Sequence, residues 1–238
     1  MKVLFSLFMM SNLLFAVSLS PLIQTLDSKR TRNVIFKITN PSKEPVASTF
    51  SILKVLSTVK NKEEREETKM VEAYPTKFVL DAGETKSIRV RYMGQKLPET
   101  EEVYRVIAKE LDIDVSDNEN NENKGKINAQ IKMRFSYEGL LFVKEENSKP
   151  KLKINSINKS MNEVTLIISN SGTASVVPNP KDYHFLISTG KNEYKLTLED
   201  LKEAEFRRVL AGKTNTFHLK NITSVPVDKI VSMRLEKK

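Results

Sequence analysis

Residues Lys126–Val143 read KINAQIKMRFSYEGLLFV, and their alternation sets the fold class. Ile127, Ala129, Ile131, Met133 and Phe135 fall on one face of a pleat, and Asn128, Gln130, Lys132, Arg134 and Ser136 on the other, because successive strand side chains point to opposite sides. The pattern predicts one β-strand well beyond the usual five or six residues. So long a strand has more backbone than its own sheet needs, and pairing with another chain is the use that follows.

Upstream, Val34–Thr39 (VIFKIT), Thr49–Val55, Lys77–Leu80, Ser87–Tyr92 (SIRVRY) and Val103–Leu111 are short runs rich in β-branched and aromatic residues. Turn formers divide them: Asn40-Pro41-Ser42, Asp81-Ala82-Gly83, then Gly94 and Pro98. Short strands at this spacing predict an antiparallel sandwich. After Leu111 comes DIDVSDNENNENKGK, polar and without apolar periodicity, which predicts a mobile loop before the long strand. Lys144–Pro150 (KEENSKP) reads as a linker, and a second strand series follows: Val164–Ser169, Tyr183–Ser188, Tyr194–Leu198, Thr216–Leu219 and Ile230–Leu235. Asn61–Lys69 (NKEEREETK) lacks an apolar stripe and reads as a solvated connection. Leu198–Arg208 is the one stretch where helical spacing competes with an irregular excursion.

The first residues, MKVLFSLFMMSNLLFAVSLS, place one lysine before an apolar run and then small residues. This predicts a cleavable export signal over residues 1–18, Ala16 and Ser18 occupying the −3 and −1 positions, with a cut after Ala16 as the alternative. The expected organisation is a first sandwich domain over 19–148, carrying the long strand, and a second over 149–238. With no cysteine, an exported chain must rely on its cores rather than on disulfides. The formal charge of +9 admits acidic partners. Lysines are spread without the aromatic interleaving or reading helix of a nucleic-acid binder, so no nucleic acid is expected.

Motifs for catalysis are missing. His184 and His218 have no companion acids or thiols at metal-ligand spacing, so no metal is expected. Ala211-Gly212-Lys213-Thr214 ends like a phosphate-binding loop, but the glycine needed five positions before Gly212 is Arg207. No G-x-S-x-G elbow occurs. The expectation is a binding protein with no catalytic residue and no cofactor.

The collinear segments VIFKITNPSKEPVA (Val34–Ala47), YPTKFVLDAGETKSIRVRY (Tyr74–Tyr92) and YRVIAKEL (Tyr104–Leu111), the polar loop and the long strand resemble the periplasmic PapD-like chaperones of the chaperone–usher pilus pathway. In the second half, ISNSGTASVVPNP (Ile168–Pro180) and VLAGKTNTF (Val209–Phe217) are similar to weaker signatures of that family. The Tyr104-Arg105-Val106 triplet resembles its alternative and archaic branches.

The resemblance implies an all-β protein of two immunoglobulin-like sandwiches in a boomerang arrangement, located in the periplasm. It implies that pilin subunits, which lack a strand, are completed by the chaperone's long strand and passed to an outer-membrane usher. Ile127, Ala129, Ile131 and Met133 would then fill the subunit's groove, each large one contributing about 1.5–3 kcal/mol when fully buried. It further implies a basic anchor for the subunit's C-terminal carboxylate: Arg105 and Arg134, with Lys132 as the substitute. A charge-assisted hydrogen bond there contributes roughly 1.5–3 kcal/mol. In the better known branch one of these cations sits on the first strand, where this chain has Gln24. Glu110 matches a family acid that helps fix the interdomain angle, but its usual basic partner is Glu138 here. An apolar edge of this length also suggests that free molecules cap one another as oligomers. A secreted immunoglobulin-like adhesin shares the signal and the sandwich, and is the competing reading.

Overall fold

A computed structural model of the protein describes residues 17–27, 31–59, 62–111 and 134–238. The apolar row Ile127–Met133, Lys132 and the polar loop lie outside the described residues, as do residues 1–16.

Ten strands form the first sandwich: β1 (Ser18–Ser20), β2 (Ile23–Leu26), β3 (Asn33–Thr39), β4 (Val46–Val59), β5 (Lys62–Glu67), β6 (Val71–Tyr74), β7 (Lys77–Leu80), β8 (Thr85–Tyr92), β9 (Glu102–Glu110) and β10 (Ser136–Val143). One sheet runs β1-β3-β8-β6 and the other β2-β10-β9-β4-β5, with β7 also on β4. Alternation dictates the packing. Phe36 and Ile38 of β3 and Ile88 and Val90 of β8 face Phe50, Tyr104, Val106, Leu141 and Val143 from the other sheet, all buried in one core.

The first extended segment, Ser18–Leu26, is broken into β1 and β2 at Pro21, which has no N–H to give to a ladder. β1 pairs antiparallel with β3, and β2 crosses to the other sheet to pair parallel with β10. Val17 and Leu19 are both part of the core, so the fold reaches two residues ahead of the domain start expected at residue 19. Asn61–Lys69 differs from its expectation too. Most of it is strand β5, the outer arm of a long hairpin with β4, and instead of an apolar stripe it carries Glu63 and Arg65, which pair with Arg105 on β9 and Glu138 on β10.

The second sandwich sets β11 (Leu152–Ser160), β12 (Glu163–Asn170) and β15 (Thr214–Lys220) against β14 (Glu193–Lys195), β13 (Tyr183–Ser188) and β16 (Ser232–Lys237). Its core is built on Leu166, Ile168, Phe185, Ile187, Phe217 and Leu219. Leu198–Arg208 is a series of turns and not a helix. The acid within it, Asp200, is buried and accepts hydrogen bonds from Thr197, Thr223 and Ser224, which ties this excursion to the loop after β15.

The same corner is built in both sandwiches. Asn40 ends β3 and Asn170 ends β12, and both are fully buried. Asn40 Nδ2 donates to Leu80 O at 3.2 Å and to Glu44 O at 2.8 Å. Asn170 Nδ2 donates to Val209 O at 3.1 Å and to Ala174 O at 2.8 Å. The loops they pin, at Asp81-Ala82-Gly83 and Leu210-Ala211-Gly212, each turn on a glycine with positive φ, 74° at Gly83 and 70° at Gly212. ITNPS and ISNSG are thus one structural device used twice.

Candidate functional site

Two features of β10 define the site. Its side opposite β9 is covered by β2 only from Leu140 to Val143. From Ser136 to Gly139 no described strand pairs with that edge, and Leu22 and Ile23, where β2 begins, are more than half exposed. Gly139 makes the junction close, since a Cβ there would lie 2.8 Å from Leu22 O and 2.9 Å from Val106 Cγ2.

The other end of β10 enters the cleft between the sandwiches. Val103 lies opposite Phe142 and Arg105 opposite Leu140, and alternation turns these four away from the first core. Val103 and Phe142 pack instead with Val55 and with Leu210 of the second sandwich, Leu140 against them, in a small core of their own. The sandwiches are also joined through Glu101, whose N–H donates to Thr173 O at 2.9 Å and whose Oε1 accepts from Ser175 N at 2.9 Å. Beside this contact opens a cavity of about 470 Å³, lined by Glu63, Arg65, Arg105, Leu140 and Arg208 among others.

In the Tyr104-Arg105-Val106 triplet each side chain has a separate task. Tyr104 is fully buried, and its hydroxyl donates to Glu102 Oε2 at 2.5 Å. Burial, reinforced by that carboxylate, pushes the phenol well above its ordinary pKa. Val106 is core. Arg105 faces the cleft, where its Nε and Nη2 donate to the two oxygens of Glu63 at 2.8 and 2.6 Å, with Glu138 further off at 3.8 Å. Arg65 donates to both oxygens of Glu138 at 2.9 and 2.7 Å and to Glu63 at 2.9 Å. Burial raises the Glu63 carboxyl, but the hydrogen bond and charge of Arg105, then of Arg65, hold it below the ordinary carboxylate range. Two arginines and two glutamates therefore neutralise one another.

Arg208, from the second sandwich, completes the cleft. Its guanidinium lies 4.5 Å from the centre of the Phe142 ring and donates to Ser175 Oγ at 3.1 Å.

Of the predicted site residues, Arg105 stands in the cleft. Arg134 is exposed and precedes β10. Leu140, the partner of Arg105, is six residues further on, which is about 20 Å of extended chain. The structure does not bring Arg105 and Arg134 together. Lys132, Ile127, Ala129, Ile131 and Met133 are outside the described residues. Gln24 turns to β3, donating to Ile35 O at 3.0 Å. Glu110 accepts weakly from Val17 N and Phe135 N, each at 3.4 Å, while Glu138 takes Arg65. Glu63, Arg65 and Arg208 were not singled out in the sequence. The alternation of Glu63, Arg65 and Glu67 was the available signal for β5; nothing local marks Arg208. His184 and His218 sit in strands β13 and β15, and no metal-binding group of side chains occurs among the described residues.

The fold is that of a two-sandwich, immunoglobulin-like binding protein with a partly open strand edge leading to a basic cleft. Residues 23–140 match the model of the pili and flagellar-assembly chaperone family, PapD N-terminal domain. The matched segment, most of the first sandwich, belongs to this PapD-like family of pilus chaperones, which are not enzymes. Among solved structures it is similar to a chain of the CsuC–CsuE chaperone–tip adhesion subunit pre-assembly complex, from archaic chaperone–usher Csu pili of Acinetobacter baumannii. That similarity has 16% identity, 93% of this chain and 97% of that one covered, and a TM-score of 0.60. It is similar also to the class 5 fimbriae chaperone CfaA (16% identity, 93% and 98% covered, TM-score 0.59). A third similarity is to a chain of the Salmonella enterica SafA pilin–SafB chaperone complex (14%, 87% and 85%, TM-score 0.53). No curated protein sequence matches the chain.

Proposed function

We propose that the protein is an exported periplasmic chaperone that captures pilus subunits by strand addition, keeps them from aggregating and delivers them to an outer-membrane usher. The observation that carries this reading is the edge of β10 from Ser136 to Gly139, with which no described strand pairs, continuous in sequence with the alternating row Ile127, Ala129, Ile131 and Met133. A subunit strand laid along that edge satisfies backbone groups that otherwise template aggregation. The apolar row fills the subunit's groove. Family membership and the complexes formed by its structural relatives support the same reading.

A subunit strand running parallel to β10 ends at the cleft, where Arg105 can take its terminal carboxylate. To do so Arg105 must exchange Glu63 for the incoming group. Arg134, about 20 Å back along the strand, serves the partner at a different point, with Lys132 beside it in sequence. The test is co-expression with pilin-like subunits from the same organism. A stable complex that protects the subunit from aggregation is expected, and its absence overturns the reading. Asp substitution of Ile131 and Met133 is expected to abolish capture while both sandwiches stay folded. Arg105→Ala is expected to weaken capture more than Arg134→Ala.

A further inference from the structure

Four arginines line the cleft, and three of them hold a carboxylate, Arg207 outermost on Glu205 at 2.6 Å. Arg105 is gripped by Glu63 and Arg65 by Glu138, each through two hydrogen bonds. Arg208 has no carboxylate within ion-pair distance among the described residues. Glu101, the acid whose charge most favours it, spends its oxygens on Ser175 and, at 3.8 Å, on Lys144. The Arg208 guanidinium is nonetheless taken partly out of water, stacked on Phe142, and repelled by Arg105 across the same cavity. A buried charge left uncompensated is costly. Stacking on the ring leaves the guanidinium edge, with most of its five N–H donors, available in plane.

We infer that Arg208 of the second sandwich binds the free terminal carboxylate of the captured subunit, taking it on the edge opposite its Phe142-stacked face, and that Arg105 joins once Glu63 is displaced. The inference rests on the capture proposed above and assigns to the second sandwich a direct part in recognition. It also gives the incoming anion a first contact that requires no internal ion pair to break. Phe142 and Ser175 are positioning residues: the ring sets the plane of the guanidinium and the hydroxyl takes one of its donors.

The experiment uses the full-length mature chaperone and synthetic peptides of the C-terminal strand of the subunit that co-purifies with it, one with a free carboxylate and one amidated. Wild-type protein is expected to prefer the free acid. Arg208→Gln is expected to weaken free-acid binding roughly ten- to a hundredfold while leaving amide binding nearly unchanged. Arg208→Lys, which keeps the charge but not the fork, is expected to retain part of the preference. Equal loss for both peptides overturns the inference and makes Arg208 a brace between sandwiches. An acid preference that survives Arg208→Gln but vanishes in Arg105→Gln also overturns it, while leaving the proposed function intact. No acid preference in the wild type overturns the carboxylate site as a whole, even if the protein still captures the intact subunit.

Discussion

Glu63 is the residue on which the cleft turns, because it already occupies Arg105 as an external carboxylate would. Its side chain and that of Arg105 are about one-fifth exposed, so the pair contributes modestly to stability, on the order of 1 kcal/mol. Glu63→Gln removes the internal competitor. It is expected to tighten binding of a free-acid subunit peptide several-fold, read by calorimetry, while lowering the melting temperature only slightly; weaker binding shows instead that Glu63 positions Arg105. A second residue-scale prediction concerns export. Val17 is 3% exposed and packs in the first core, and Ser18 pairs with Thr39, so a cut after Ser18 discards a core side chain and a strand residue. Cleavage after Ala16 is expected, which intact-mass measurement of the secreted chain decides.

At the scale of single elements, the β3 and β12 corners are where stability is most exposed to one substitution. Asn40→Ala leaves the buried carbonyl of Leu80 and the partly buried ones of Glu44 and Asp81 without the amide that served them, at a cost of about 1–3 kcal/mol. Asn170→Ala does the same to Ala174 and Val209. Denaturant unfolding of each variant is expected to give similar losses in the two sandwiches. The strands themselves were legible wherever one face is apolar: β3, β8, β9 and β12 alternate so plainly that periodicity places them. β5 was not, because both of its faces are charged and its pairing is fixed by Glu63, Arg65 and their partners on β9 and β10, which are distant in sequence. The break at Pro21 was hidden for a similar reason. β1 and β2 each alternate correctly, and only the identity of their partners, β3 and β10, reveals that the chain changes sheets. Arg105 could be proposed from its triplet, but Arg208 enters the site through contact between the sandwiches, which no local pattern encodes.

Across the whole molecule, two cores of similar construction are joined through a small third one, and a fully buried acid gives the second sandwich its own response to pH. Asp200 is 1% exposed. Burial raises its pKa, but hydroxyl and N–H donors from Ser224, Thr197 and Thr223 outweigh that and hold the carboxyl far below its usual range. A folded pKa depressed in this way contributes stability that is fully present above the unfolded value, about 3.9, and is lost as pH falls toward the folded one. The second sandwich is therefore expected to weaken from about pH 4 downward. Asp200→Asn removes the charge these donors serve, lowering neutral-pH stability by about 1.5–3 kcal/mol and flattening the acid dependence below pH 4. Hydrogen exchange followed separately in β12–β15 and in β3–β8 reads the two sandwiches independently. An unchanged acid slope in the variant means that other carboxylates carry the effect. The consequence for capture follows from the cleft, since Arg208 belongs to the sandwich that Asp200 stabilises: acid that loosens β11–β16 is expected to release a bound subunit before the β10 edge itself unfolds.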